Sequence, residues 1–155
     1  MNNSNFRKLT VSKDKRRVKS MNEVIKYGNK LGVVFPENLA LFISMYEGLY
    51  LNEDESYYVN NNGILHELNS VLYLKYSKDL GGASIEAILE GHKEEGIEGF
   101  IPFGIDSGGW DYNVSINKET YGQVWVNKFD SGEENTMEYV APSFEEFING
   151  LRSPE

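Results

Sequence analysis

Two aspartates, Asp106 and Asp111, bracket the run Ser107-Gly108-Gly109-Trp110 and are the residues of this chain best placed for acid–base work. Paired carboxylates can share the acid and base roles at a glycosidic bond. A single turn with no sugar-stacking groove beside it does not complete such a site, and a binding role for the same carboxylates is favoured. Metal chemistry fares no better. His66-Glu67 and His92-Lys93-Glu94-Glu95 lack two strong ligands at the i, i+4 spacing of a helical zinc site. Asn52-Glu53-Asp54-Glu55 lacks the glycine and the closing glutamate of a calcium loop and reads as a solvated turn. Cysteine is absent, which excludes disulfides and thiolate sites. No cofactor and no metal are expected.

Asp106-Ser107-Gly108-Gly109 copies the tetrapeptide around the nucleophile of chymotrypsin-like proteases. A serine nucleophile needs a histidine oriented by a carboxylate. His66 and His92 are the only histidines, and neither sits in a sequence like that family's histidine motif. The chain, at 155 residues, is also short for a two-barrel protease. Gly104, Gly108 and Gly109 form no phosphate loop, because strand follows them where a helix N-terminus and a lysine are needed.

The elements that must position these residues are legible from pattern. Phe100 to Ile105 reads as a strand and Tyr112 to Ile116 as its return, with Gly104, Gly108 and Gly109 as the structural glycines of the turn, Asp106 and Ser107 bonding its backbone and Gly108 and Gly109 free to reverse it. Pro102 has no N–H, which places its strand at an edge or the proline at its start. Ser20-Met21-Asn22-Glu23 is a capping box that starts a helix with Val24, Tyr27 and Leu31 on one face and Gly32 as its stop. Pro36 opens a second helix that buries Leu39, Phe42, Ile43 and Tyr46. Tyr57-Tyr58-Val59, the Asn60 to Gly63 turn and Ile64 to Leu68 read as a hairpin. Gly81-Gly82 breaks the chain before Ser84 caps a third helix carrying Ile85, Ile88, Leu89 and His92 on one face. In Gln123 to Asn127, Val124 and Val126 share one side, and Trp125 shares the other with polar neighbours. That tryptophan is either half-covered by a helix or exposed for a partner. A second box, Ser143 with Glu146, opens a last helix with Phe144, Phe147, Ile148 and Leu151 buried. The sum is α+β, a largely antiparallel sheet with helices packed on one face.

Charge is uneven. Residues 1–19 hold seven basic residues against Asp14, and the remaining chain holds eight basic against 23 acidic. The leader reads as a basic, flexible arm with a short strand at Leu9 to Val11, followed by a single domain over 20–155. Nucleic-acid binding by Lys15-Arg16-Arg17 is disfavoured, since no aromatic platform is interleaved with the charges. The acidic body repels phosphate backbones and attracts cationic protein surfaces. No apolar run approaches the ~18 residues of a membrane span, and the N-terminus lacks the apolar core of a secretory signal, so the chain reads as cytoplasmic.

Leu31-Gly32-Val33-Val34-Phe35-Pro36-Glu37 with Phe42 and Glu47-Gly48, then Ile101-Pro102-Phe103-Gly104 with Asp106, Gly108-Gly109 and Asp111, then Tyr121-Gly122-Gln123-Val124, then Ser143 to Phe147, together resemble the SUKH superfamily in its Smi/Knr-type branch. The resemblance runs from about Met21 to Leu151. It implies an α+β fold and a non-enzymatic protein. Bacterial members mostly act as immunity proteins that neutralise polymorphic toxins, many of them nucleases, and fungal relatives are regulatory scaffolds of cell-wall assembly. The chain departs from the pattern at Ser107, Trp110 and Asn127-Lys128. The expected partner is a protein toxin with a basic surface, and the expected patch is Asp106, Trp110 and Asp111 with Trp125 and the corner from Glu47 to Tyr50.

Overall fold

The computed structural model describes residues 6–9, 20–75 and 83–154. Gly81-Gly82, Val11 and the basic run Lys15-Arg16-Arg17 lie outside the described residues. The Ser20 hydroxyl accepts from the Glu23 N–H at 3.1 Å while the Glu23 carboxylate accepts from the Ser20 N–H at 2.9 Å, so both halves of the capping box start α1 (Met21–Lys30). Pro36 caps α2 (Glu37–Tyr46), whose Leu39, Phe42, Ile43 and Tyr46 are all buried. A hairpin follows, β1 (Tyr57–Val59) paired with β2 (Leu65–Glu67), its turn held by the Asn60 side chain accepting from the Asn62 and Ile64 N–H groups.

The main sheet is antiparallel with strand order β3-β4-β5-β6-β7, formed by Ser70–Val71, Phe100–Ile105, Asp111–Ser115, Val124–Asn127 and Met137–Ala141. Between β3 and β4 lies α3 (Ile85–Glu94), capped by Ser84. The chain closes with α4 (Phe144–Asn149), where the Ser143 hydroxyl accepts from the Glu146 N–H at 3.0 Å. The fold class is α+β, as read from the sequence.

Helix placement follows from the pleat. Side chains alternate along a strand. Tyr112 stacks on Phe147 with centroids 5.5 Å apart, so its face of the sheet is the one covered by α4. There Phe42, Phe103 and Phe144 meet edge-on, with the Phe103 and Phe144 centroids at 4.9 Å and Phe42 and Phe144 at 5.2 Å. Losing any one of these rings costs about 3–5 kcal/mol, because the hole left behind adds to the lost transfer energy. Asp111 points the other way and meets His92, so α3 crosses the opposite face at the β4–β5 end. The sheet therefore has α2 and α4 on one side and α3 over part of the other, and the expectation that the helices share one face is corrected: the pleat turns Asp111 away from Tyr112, and α3 is anchored there through His92.

Two local expectations change. The strand β4 is not an edge strand, and Pro102 is not at its start. The β3 ladder reaches only Gly104 and Ile105, so the missing Pro102 N–H falls where no β3 partner is paired, and the register slips between Pro102 and Gly104. Residues 6–9, read as part of a loose arm, are docked. Phe6 packs edge-on against Phe42 and Phe144, Leu9 is buried, and Arg7 binds Glu55 at 2.8 Å and the Leu151 carbonyl.

Candidate functional site

The turn between β4 and β5 is built by one aspartate. Asp106 Oδ1 accepts from the Gly108 and Trp110 N–H groups, each at 2.9 Å, and the main chain closes with Gly109 N–H to Asp106 O at 3.1 Å. Gly109 alone of the two turn glycines takes positive φ, +97°. A Cβ on Gly108 would meet nothing closer than Asp106 Oδ1 at 3.6 Å, an ordinary contact. Gly104 is not a turn residue. It lies within β4, where a Cβ would come within 2.4 Å of Leu68 Cδ1 and 2.9 Å of the Ser70 carbonyl, so it serves close strand packing.

Hairpin β1–β2 leans against this turn. Ser107 donates from its N–H at 3.1 Å and from its hydroxyl at 2.8 Å to the same oxygen of Glu67, so the serine is bound to a carboxylate and not to an imidazole. Tyr112 Oη accepts from the Glu67 N–H at 3.1 Å. Burial, with the Asp106 charge adding to it, holds that phenol above its ordinary pKa, so it stays protonated. Between hairpin and sheet lies a cavity of ≈ 260 Å³, lined among others by Tyr57, Leu65, His66, Glu67, Asp106 and Trp110. Lys128 also lines it, 5.3 Å from the Trp110 ring centroid and paired with Glu138 at 2.9 Å. The Trp110 indole N–H donates to Asp130 at 2.6 Å, which fixes the ring at the rim. Ile64 and Leu65, 43% and 49% exposed, extend the apolar surface beyond it.

The residues expected in one patch are not all brought together. Asp106 and Trp110 share the cavity. Asp111 does not reach the surface. It is 4% exposed, its Oδ2 lies 2.8 Å from His92 Nε2, and Asn113 Nδ2 donates to the same oxygen at 2.9 Å. Glu47 is fully buried and accepts from the Leu74 N–H at 3.1 Å, tying the end of α2 to the strand region that follows β3. Both carboxylates are removed from any contact surface by these roles. Trp125 lies opposite Asn113 and Tyr139, on the face turned away from α4. Its half-buried ring meets Phe100 of β4, two strands away, at 5.9 Å and Tyr139 of the adjacent β7 at 6.0 Å. Tyr50 is 49% exposed and bridges to Ser70, beyond β4 from the turn. The hairpin residues His66, Glu67 and Leu65 were missed as site residues. The signal was the exposed apolar pair Ile64-Leu65 beside a histidine and a glutamate.

The carboxylate pair cannot act on one substrate group. Asp106 faces the hairpin cavity, and Asp111 lies under a separate cleft of ≈ 340 Å³ that also involves α3 and Phe129. Among the described residues no group of His, Cys, Asp or Glu side chains is assembled for a metal ion. No helix among them is long and apolar enough to cross a membrane.

No curated protein and no solved structure matches the chain. A family model does, over residues 20–150, the stretch that holds the capped first helix, the hairpin, the sheet, the Asp106 turn and the closing helix. The chain belongs to the SMI1 / KNR4 family (SUKH-1).

Proposed function

We propose that this protein is a non-enzymatic immunity protein, which neutralises a polymorphic toxin in the cytoplasm by binding a basic face of it. The observation that carries the reading is the ledge formed by the hairpin and the Asp106 turn. Exposed Ile64 and Leu65 and the half-buried Trp110 stand beside Asp106 and Glu67, giving an apolar centre with a charged rim. Protein interfaces are built this way, with aromatic anchors in the middle and carboxylates that steer and pair at the edge. The excess of 24 acidic over 15 basic residues favours a cationic partner. Family membership supports a protein partner, and the burial of Asp111 against His92 removes the carboxylate pair that a hydrolase reading needs.

The test is co-expression with the toxin encoded in the neighbouring reading frame, with growth as the readout. Protection by the wild-type chain, lost in Trp110→Ala with Leu65→Ala while the variant stays folded, supports the reading. Growth arrest despite soluble wild-type protein refutes it.

A further inference from the structure

The hairpin cavity has chemistry beyond a general docking ledge. Its two carboxylates are each held by donors on one oxygen. Asp106 Oδ1 takes the Gly108 and Trp110 N–H groups, and Glu67 Oε1 takes both Ser107 donors. Asp106 Oδ2 and Glu67 Oε2 have no partner among the described residues, and the cation that lines the cavity with them, Lys128, pairs with Glu138 and with neither of these oxygens. A carboxylate fixed through one oxygen presents the other without losing further side-chain freedom on binding. The cavity also contains His66, 6% exposed, whose Nε2 finds no hydrogen-bond partner. A buried polar atom left unmet in this way gains from a partner, and in the tautomer with its proton on Nδ1 the His66 Nε2 lone pair accepts from a donor.

The walls narrow the choice of donor. Tyr57 and Trp110 supply aromatic faces, and Lys128 already stands over the indole, which shows that the ring accepts a cation. A guanidinium is planar, stacks on rings, and offers several donors at once to two separated carboxylate oxygens and an imidazole nitrogen. An ammonium offers a point charge.

We infer that the cavity between hairpin β1–β2 and the Asp106 turn is a socket for one arginine side chain presented by a protein partner, its guanidinium bound by Asp106 and Glu67 over His66. This rests on the reading of the ledge as a protein-binding surface.

The test uses the full chain and N-acetyl-arginine N-methylamide as the probe, followed by NMR at the His66 ring and the Trp110 indole N–H. The expected result is a saturable shift of both. The uncharged citrulline analogue should bind at least about tenfold more weakly, as should arginine on Asp106→Asn with Glu67→Gln, because a charge-assisted contact is lost in each case. The two substitutions keep an oxygen for the Ser107, Gly108 and Trp110 donors, so the fold is retained. No shift with arginine, or equal shifts with citrulline, overturns the socket. Toxin capture lost in Trp110→Ala without arginine binding to the wild type overturns the socket while the ledge stands. Arginine binding without toxin capture supports the socket and refutes the toxin reading.

Discussion

Replacing Asp111 with alanine should weaken the fold and leave the partner surface intact. In the wild type, Asp111 Oδ2 receives His92 Nε2 at 2.8 Å and Asn113 Nδ2 at 2.9 Å, with His92 3% exposed. His92 Nδ1 already has no partner, so the substitution leaves a buried imidazole with none at all. Breaking a buried pair by removing one member costs about 3–5 kcal/mol, because the remaining polar group keeps its desolvation penalty. At roughly 2–4 °C per kcal/mol for a chain of this size, Tm should fall by about 6–20 °C. Changing both partners, His92→Leu with Asp111→Leu, should cost less than the two single changes together, because no polar group is then stranded. Calorimetry or circular dichroism on the four proteins completes the cycle. A drop below about 2 °C for Asp111→Ala, within the range of ordinary surface substitutions, would refute the structural role. So would loss of binding to the proposed partner at a temperature where the variant is folded.

Trp110→Ala should cost at least about 2 kcal/mol of affinity for the proposed toxin partner, read by calorimetry at a temperature where the variant is folded, since the half-buried ring also packs against the core. Burial lowers the His66 pKa; the Glu138 charge opposes this and Lys128 adds to it. Below about pH 6.5 the unfolded chain therefore binds a proton that the folded chain does not, and stability falls as pH drops through that value. Urea melts at pH 7.5 and about 5.5 should show the loss, and His66→Gln should reduce it. Gly104→Ala should cost about 1–3 kcal/mol, because the added methyl drives into Leu68 and the Ser70 carbonyl, whereas Gly108→Ala should stay within about 0.5 kcal/mol.

What was legible in the sequence was local. Ser20 with Glu23 and Ser143 with Glu146 fix helix starts through bonds three residues apart, and Asn60 to Gly63 fixes a hairpin through its own side-chain turn. The buried stripes of α2 and α4 follow from helical period. The fates of Asp111 and Glu47 were not legible, because their partners are supplied by tertiary packing. His92 comes from a helix on the far side of the sheet, and the Leu74 N–H from the chain after β3. A carboxylate beside a turn looks the same in sequence whether it caps the turn, as Asp106 does, or is folded under a helix. Trp125 shows the same limit: alternation gave its face, while its cover comes from Phe100 and Tyr139 on strands separated from it in the chain.

The most direct measurement is titration of the purified chain with the proposed partner, the product of a toxin gene in a neighbouring reading frame, repeated on Trp110→Ala with Leu65→Ala. Tight one-to-one binding by the wild type, weakened by at least about 30-fold in the folded variant, is the predicted result. No binding by the wild type, or equal affinity for both proteins, would contradict the account.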